Sequence, residues 1–148
     1  MAAKSGRGSR PARVLGYAWA FPATVFGLIL VAAATVTGAR VSVVDGVMEA
    51  HGGMLAHFLR RWVPLRGGAS AMTLGHVVIA RDAAALARTR AHERVHVKQA
   101  ERWGPLFIPA YFLASLVVAL RGGHYYRDNR FERDAVASAE QTLGGRAS

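Results

Sequence analysis

His92-Glu93-Arg94-Val95-His96 is the stretch of this chain whose residue types and spacing could do chemistry. Residues four apart on an α-helix face the same way, so both imidazoles can reach one divalent ion. Glu93 lies between them and can take a proton from water on that ion. Three protein ligands and a water make a hydrolytic site, whereas four protein ligands make a closed one. The third ligand is sought among downstream groups. Glu101 is five residues past His96 on the same helix and faces elsewhere. Glu132 follows His96 by 36 residues, which leaves room for one helix and a return, and it is the preferred ligand. Asp128 is the second choice. His124 is the third and would give a three-histidine site. A developing oxyanion needs a donor besides the ion. Tyr126 is the candidate, with Tyr125 and His124 beside it; simple packing is the alternative use of the two tyrosines. His76 is read as structural.

The composition narrows what such a site could be. The chain has 148 residues and no cysteine, which excludes disulfides, iron–sulfur clusters, thiolate zinc sites and cysteine nucleophiles. A metal must be held by His, Asp or Glu, and zinc, one per chain, suits these ligands. Hydrophobic residues make up 52% and charged ones 19%, and the mean hydropathy is +0.18. That is too apolar for a disordered chain and slightly too apolar for an ordinary soluble domain. The net charge of +10 comes from scattered arginines with no DNA- or RNA-binding signature, so no nucleic-acid partner is expected.

Several elements must position the motif. Residues 1–13 form a basic leader carrying Lys4, Arg7, Arg10 and Arg13. Residues 14–39 contain no charge and are long enough for a transmembrane anchor. Tyr17, Trp19 and Phe21 stand where interfacial aromatics belong. A cleaved signal peptide is the alternative, but the apolar run exceeds the usual ~7–15 residues. The expected location is a bacterial-type cell membrane, through a single-pass anchor, with the side carrying residues 40–143 left open. Val41–Val44 and Val47–Ala50 flank Asp45-Gly46, a hairpin signal. Residues 53–62 read as a short helix. Residues 72–80 read as one strand, in which Gly75 marks a bulge or a close backbone approach. Residues 83–102, 107–120 and 128–143 read as helices, with Asp82 and Asp128 or Asn129 as caps. Residues 144–148 form a tail.

Trp103–Leu120 is uncharged for 18 residues and could be taken for a second span. Yet His96 precedes it and Glu132 follows it, and two ligands of one ion must lie on the same side of a membrane. The segment is therefore expected to lie in the interface, to re-enter, or to pack as core, with Arg102, Arg121 and Arg127 available to anionic headgroups.

HERVHVKQAERWGPLF followed by YRDNRFERDA resembles the gluzincin zinc peptidases, in which H-E-x-x-H is completed by a glutamate on a later helix. The likeness covers about residues 70–142 and extends to short uncharacterised membrane-associated bacterial proteins. It implies an α+β, minimal zincin-like domain over residues 40–143: short strands, an active-site helix, a hydrophobic helix and a glutamate helix. His92, His96 and Glu132 would hold the zinc and Glu93 would be the general base of a membrane-anchored metalloendopeptidase. The substrate would be a peptide or protein near membrane lipid, held along strand 72–80 by β-augmentation. One position departs from the pattern. Many gluzincins carry Asp four residues after the ligand Glu, and here that residue is Val136, so Asp128, Asn129 or a backbone carbonyl must support the first His. The alternative reading is a non-enzymatic membrane protein with a structural or regulatory metal site.

Overall fold

The computed structural model describes residues 19–65 and 67–145. In chain order these form α1 (Phe21–Thr35), β1 (Arg40–Val44), β2 (Val47–His51), α2 (Met54–Arg61), β3 (Ala71–Leu74), β4 (Val77–Ala80), α3 (Ala83–Trp103), a 3-10 turn (Gly104–Leu106), α4 (Phe107–Leu120) and α5 (Arg130–Gly144). The strands make one mixed sheet in the order β1-β2-β4-β3, with β2 and β4 parallel and the outer pairs antiparallel. The fold is α+β, as expected. The leader 1–13, residues 14–18 of the expected anchor and residues 146–148 of the tail lie outside the described residues.

β1 and β2 join through Asp45-Gly46, both at positive φ (50° and 78°), the two-residue turn that the sequence signals. Residues 71–80 correct the expectation of a single strand. They form a second hairpin, with Leu74 opposite Val77 and the chain turning at Gly75-His76. Gly75 has φ +62°, and a side chain there would collide with Thr24. Thr24 Oγ1 accepts a hydrogen bond from His76 N at 3.1 Å. The turn is thus fixed by α1, and it leaves only the short β3 at this edge of the sheet, with β1 at the other.

Successive residues of β4 point to opposite faces, and all four are buried because both faces are covered. Val77 and Ile79 meet Val31, Ala34, Leu55 and Leu59 from α1 and α2. Val78 and Ala80 meet Ala85, Leu86 and Val97 from α3. Leu55, Leu59 and Ile79 are fully buried, each contributing roughly 2 kcal/mol by burial. A third cluster of Ala20, Ala100, Phe107 and Phe131 ties α4 and α5 to α3.

The expected anchor does not stand apart from the rest of the chain. Its described part buries Gly27, Val31 and Ala34 against the sheet. A Cβ at Gly27 would sit 2.7 Å from Val77 Cβ, so the glycine permits that approach. The opposite face leaves Phe21, Phe26 and Ile29 exposed. α4 is likewise apolar and open, with only Phe107 buried, so it is not a core helix; Phe112, Leu113, Leu116 and Leu120 are exposed. The helical run Ala83–Leu120 contains a stretch long and apolar enough to cross a membrane, of which 11% is buried within the protein.

Candidate metal centre

α3 carries the motif and is held in place at its start and along its sheet side. Asp82 caps it, accepting from Ala85 N at 2.7 Å. Glu49 on β2 is 1% exposed and accepts from Arg90 Nε and an Arg90 terminal nitrogen at 3.0 and 2.8 Å, and from Arg94 at 2.8 Å. These bonds fix the rotation of α3 on the sheet, so the opposite face, with His92 and His96, turns toward α5.

There the two imidazoles meet Glu132. His92 Nε2 lies 3.0 Å from His96 Nε2 and 3.1 Å from Glu132 Oε2, and His96 Nε2 lies 3.3 Å from Glu132 Oε1. Among the described residues these three form a largely buried group that could hold a metal ion. The separations suit one: a tetrahedral site with bonds near ~2.1 Å has ligand–ligand edges of about 3.4 Å. Of the three candidates for third ligand, Glu132 is the one brought to the two histidines. The other two are elsewhere. Asp128 accepts from His124 N at 2.8 Å within its own loop, and the His124 ring stacks on Tyr125 at the surface. Glu101 pairs with His76 at 2.9 Å, which gives His76 the structural role expected.

Support for the ligands comes from residues the sequence reading passed over. His96 Nδ1 donates to Gln99 Oε1 at 2.8 Å, and Gln99 Nε2 donates to the Phe131 carbonyl at 3.1 Å. The amide is thereby oriented, and the proton sits on Nδ1, leaving Nε2 free to bind an ion. Tyr111 on α4 donates to Glu132 Oε1 at 2.6 Å. Asn129 is fully buried and braces this arrangement. Its Nδ2 donates to the Tyr111 carbonyl at 3.0 Å and to Ser115 Oγ at 2.7 Å, while its Oδ1 caps α5 at Phe131 N. Val136 is 48% exposed and plays no part; Gln99 and Tyr111 support His96 and Glu132 instead, not the first His. Of the substitutes expected, Asp128 does not reach the site and Asn129 acts one step further out. Tyr111 and Ser115 were findable: they are the polar side chains of Phe107–Leu120, four apart on one helix face.

Glu93 is buried beside the histidines. Thr73 on β3 donates to Glu93 Oε2 at 2.6 Å, so the edge strand aims the carboxylate. Burial raises the Glu93 pKa, and the neighbouring His96, the Thr73 bond and His92 only partly oppose it. Burial also works to raise the Glu132 pKa, but its bonds from His92, His96 and Tyr111 outweigh that and hold it well below the usual carboxylate range. His96 is the converse: burial disfavours its charged form, yet Glu132 and Glu93 push its pKa up. Tyr126 sits against Glu132, and burial with that negative charge raises its pKa, so the hydroxyl keeps its proton. Beside these groups opens a cleft of about 800 Å³, floored by His92 and Glu93 and walled by Ala69–Ala71 on one side and Gly123–Tyr126 on the other. Tyr125 of the second wall donates to the Pro64 carbonyl at 3.1 Å.

The arrangement offers three metal ligands, a buried acid at hydrogen-bonding distance from a positioning hydroxyl, and access from solvent. Compared with protein families, with curated proteins and with solved structures, the chain matches none.

Proposed function

We propose that this chain is a membrane-held, zinc-dependent peptidase of gluzincin type, with a zincin-like domain over residues 40–143 onto which α1 also packs. The observation that carries the reading is the convergence of His92, His96 and Glu132 beside Glu93 on the floor of an open cleft. A closed structural site would bring a fourth side-chain ligand and would not need a cleft.

Zinc bound by these three residues supplies Lewis-acid polarisation of a substrate carbonyl and lowers the pKa of water. The chain's own residues do the rest. Glu93, its pKa raised by burial, takes a proton from the attacking water and gives it to the leaving amine. Thr73 holds the Glu93 carboxylate in place at the floor of the cleft. Tyr126 retains its hydroxyl proton and donates to the developing oxyanion. Tyr111 and Gln99 hold Glu132 and His96 in binding orientation.

The membrane reading rests on the two exposed apolar faces of α1 and α4, helices whose starts come together where Trp19 lies against Gly104. α4 stays beside the site along its length: Phe107 against His96, Tyr111 on Glu132, Ser115 on Asn129. It therefore lies in the interface rather than crossing, as the shared ion requires. Arg102, Arg121 and Arg127 flank it and suit anionic headgroups.

The test is elemental analysis and peptide hydrolysis on protein purified in detergent without chelator. Wild type should hold about one zinc per chain and cleave peptides. Glu93→Gln should keep the zinc and lose roughly 10²–10⁴-fold in rate. Hydrolysis by Glu93→Gln at the wild-type rate, or wild type without zinc, would falsify the mechanism.

A further inference from the structure

The cations of α3 are used unequally. Arg90 and Arg94 are spent on Glu49 at the sheet. Arg88 lies one turn before His92 on the same helix face and lines the cleft. Among the described residues no carboxylate pairs with it. Glu93 is the one acid in the cleft wall, and it is buried and held by Thr73. The cleft therefore carries the proposed hydrolytic groups toward one end and a solvent-exposed guanidinium without a carboxylate partner toward the other, about 6 Å along the helix axis.

We propose that Arg88 binds a carboxylate of the substrate on the C-terminal side of the bond to be cleaved. This rests on the peptidase reading and names the substrate class of that site. The direction follows from how β3 passes α3. Thr73 meets Glu93, and Ala71 packs into the cluster of Ala85 and Leu86, so β3 and α3 run the same way past the cleft. β3 is an edge strand of the sheet, the one whose Thr73 meets Glu93. A peptide pairing antiparallel to it has its C-terminal side toward Ala71 and Arg88. At about 3.3 Å per extended residue, a 6 Å offset puts the carboxylate about two residues beyond the scissile bond. Arginine suits the task, because its planar fork meets a carboxylate with two parallel hydrogen bonds. The carboxylate could be an Asp or Glu side chain within a longer peptide, or the terminal carboxylate of a chain that ends there.

The experiment uses the full-length, zinc-loaded protein in detergent with matched quenched-fluorescent peptides. These carry Glu, Gln or Lys two residues after the cleaved bond, each in a long C-amidated form, plus a Gln peptide that ends there as the free acid. Binding of the same peptides to Glu93→Gln is followed by fluorescence anisotropy, which reads affinity without hydrolysis. Wild type should prefer Glu over Gln by about tenfold in kcat/KM, carried by KM, with the matching gap in anisotropy. Arg88→Ala should erase the preference and Arg88→Glu should turn it toward Lys, both with zinc content intact. Preference for the free acid but not for amidated Glu assigns the carboxylate to the substrate's terminus; the reverse assigns it to a side chain. Indifference of wild type to all charges, or a preference that survives in Arg88→Ala, overturns the assignment and leaves the peptidase reading standing. Wild type without zinc, and without binding or cleavage of any peptide, overturns both.

Discussion

Two buried carboxylates pack against α3, and they do opposite things. Glu49 and Glu132 are 1% and 5% exposed, so burial does not separate them. Their partners do. Glu49 is saturated by two guanidiniums, which stay charged and can neither release a proton nor bind a metal. Glu132 is surrounded by two imidazoles and two phenols, whose protons are exchangeable and whose nitrogens are ligands. The first arrangement fixes a helix to a sheet. The second brings together atoms that could hold an ion in place of the hydrogen bonds between them. What marks the candidate ligand among the two carboxylates is the chemistry of its neighbours.

The largest effect should come from Glu132→Ala. Removing a hydrogen-bond partner of a metal ligand typically costs ~10–100-fold in affinity, and removing the ligand itself should exceed that. Zinc measured by competition with a chromophoric chelator should fall to near zero, while the fold survives because the α3–sheet contact is untouched. Zinc retained at wild-type affinity would end the distinction between the two carboxylates and return Asp128 or His124 to the site.

Glu49→Ala tests the other half. It leaves two arginines facing an apolar seam without their anion, which for a fully buried pair costs ~3–5 kcal/mol. Arg90 is 45% exposed and Arg94 21%, so both can partly rehydrate, and about 3 kcal/mol is expected in urea unfolding. The zinc content of the folded fraction should not change. A variant that folds normally but loses zinc would show that Glu49 tunes the site rather than the fold.

The same contrast explains what was legible in the residues alone. His92, Glu93 and His96 are local: helical spacing brings them together whatever the rest of the chain does. Glu132 was reachable by a distance argument, and Asp82 and Asn129 by cap chemistry. The hairpin at Gly75 was not, because a Val/Ile-rich run reads as one strand and the turn is set by Thr24, in contact with it in space but 52 residues from His76 in sequence. Thr73 on Glu93 depends on the same misread strand. α1 was legible as a helix, but hydropathy does not distinguish a face that meets lipid from one that meets a sheet. Its small residues Gly27 and Ala34 carried that signal.

Tyr111→Phe should act between these extremes. It removes one hydrogen bond to Glu132 and keeps the ring in its stack with Phe131. Zinc affinity should drop about tenfold, with the unfolding midpoint near wild type. An unchanged affinity would mean that the ion, once bound, draws Glu132 away from the phenol, and that α4 touches the site without supporting it.

The smallest effect belongs to a third pairing on α3, and it limits how far the comparison reaches. His76 and Glu101 sit 2.9 Å apart, with the carboxylate 39% exposed. Here, as at Glu132, an imidazole faces a carboxylate, so partner chemistry alone would assign it to metal. Two features set it apart: a single histidine, and a carboxylate already hydrated. One imidazole and one wet carboxylate cannot enclose an ion, and their mutual attraction is screened by water. Glu101→Gln keeps the shape and a hydrogen bond to His76, so stability should change by about 0.5 kcal/mol. Zinc stoichiometry and affinity should both remain those of wild type. A loss of zinc in Glu101→Gln would mean that a second ion had been bound there, and convergence of two imidazoles on one buried carboxylate would no longer be what picks out the metal site.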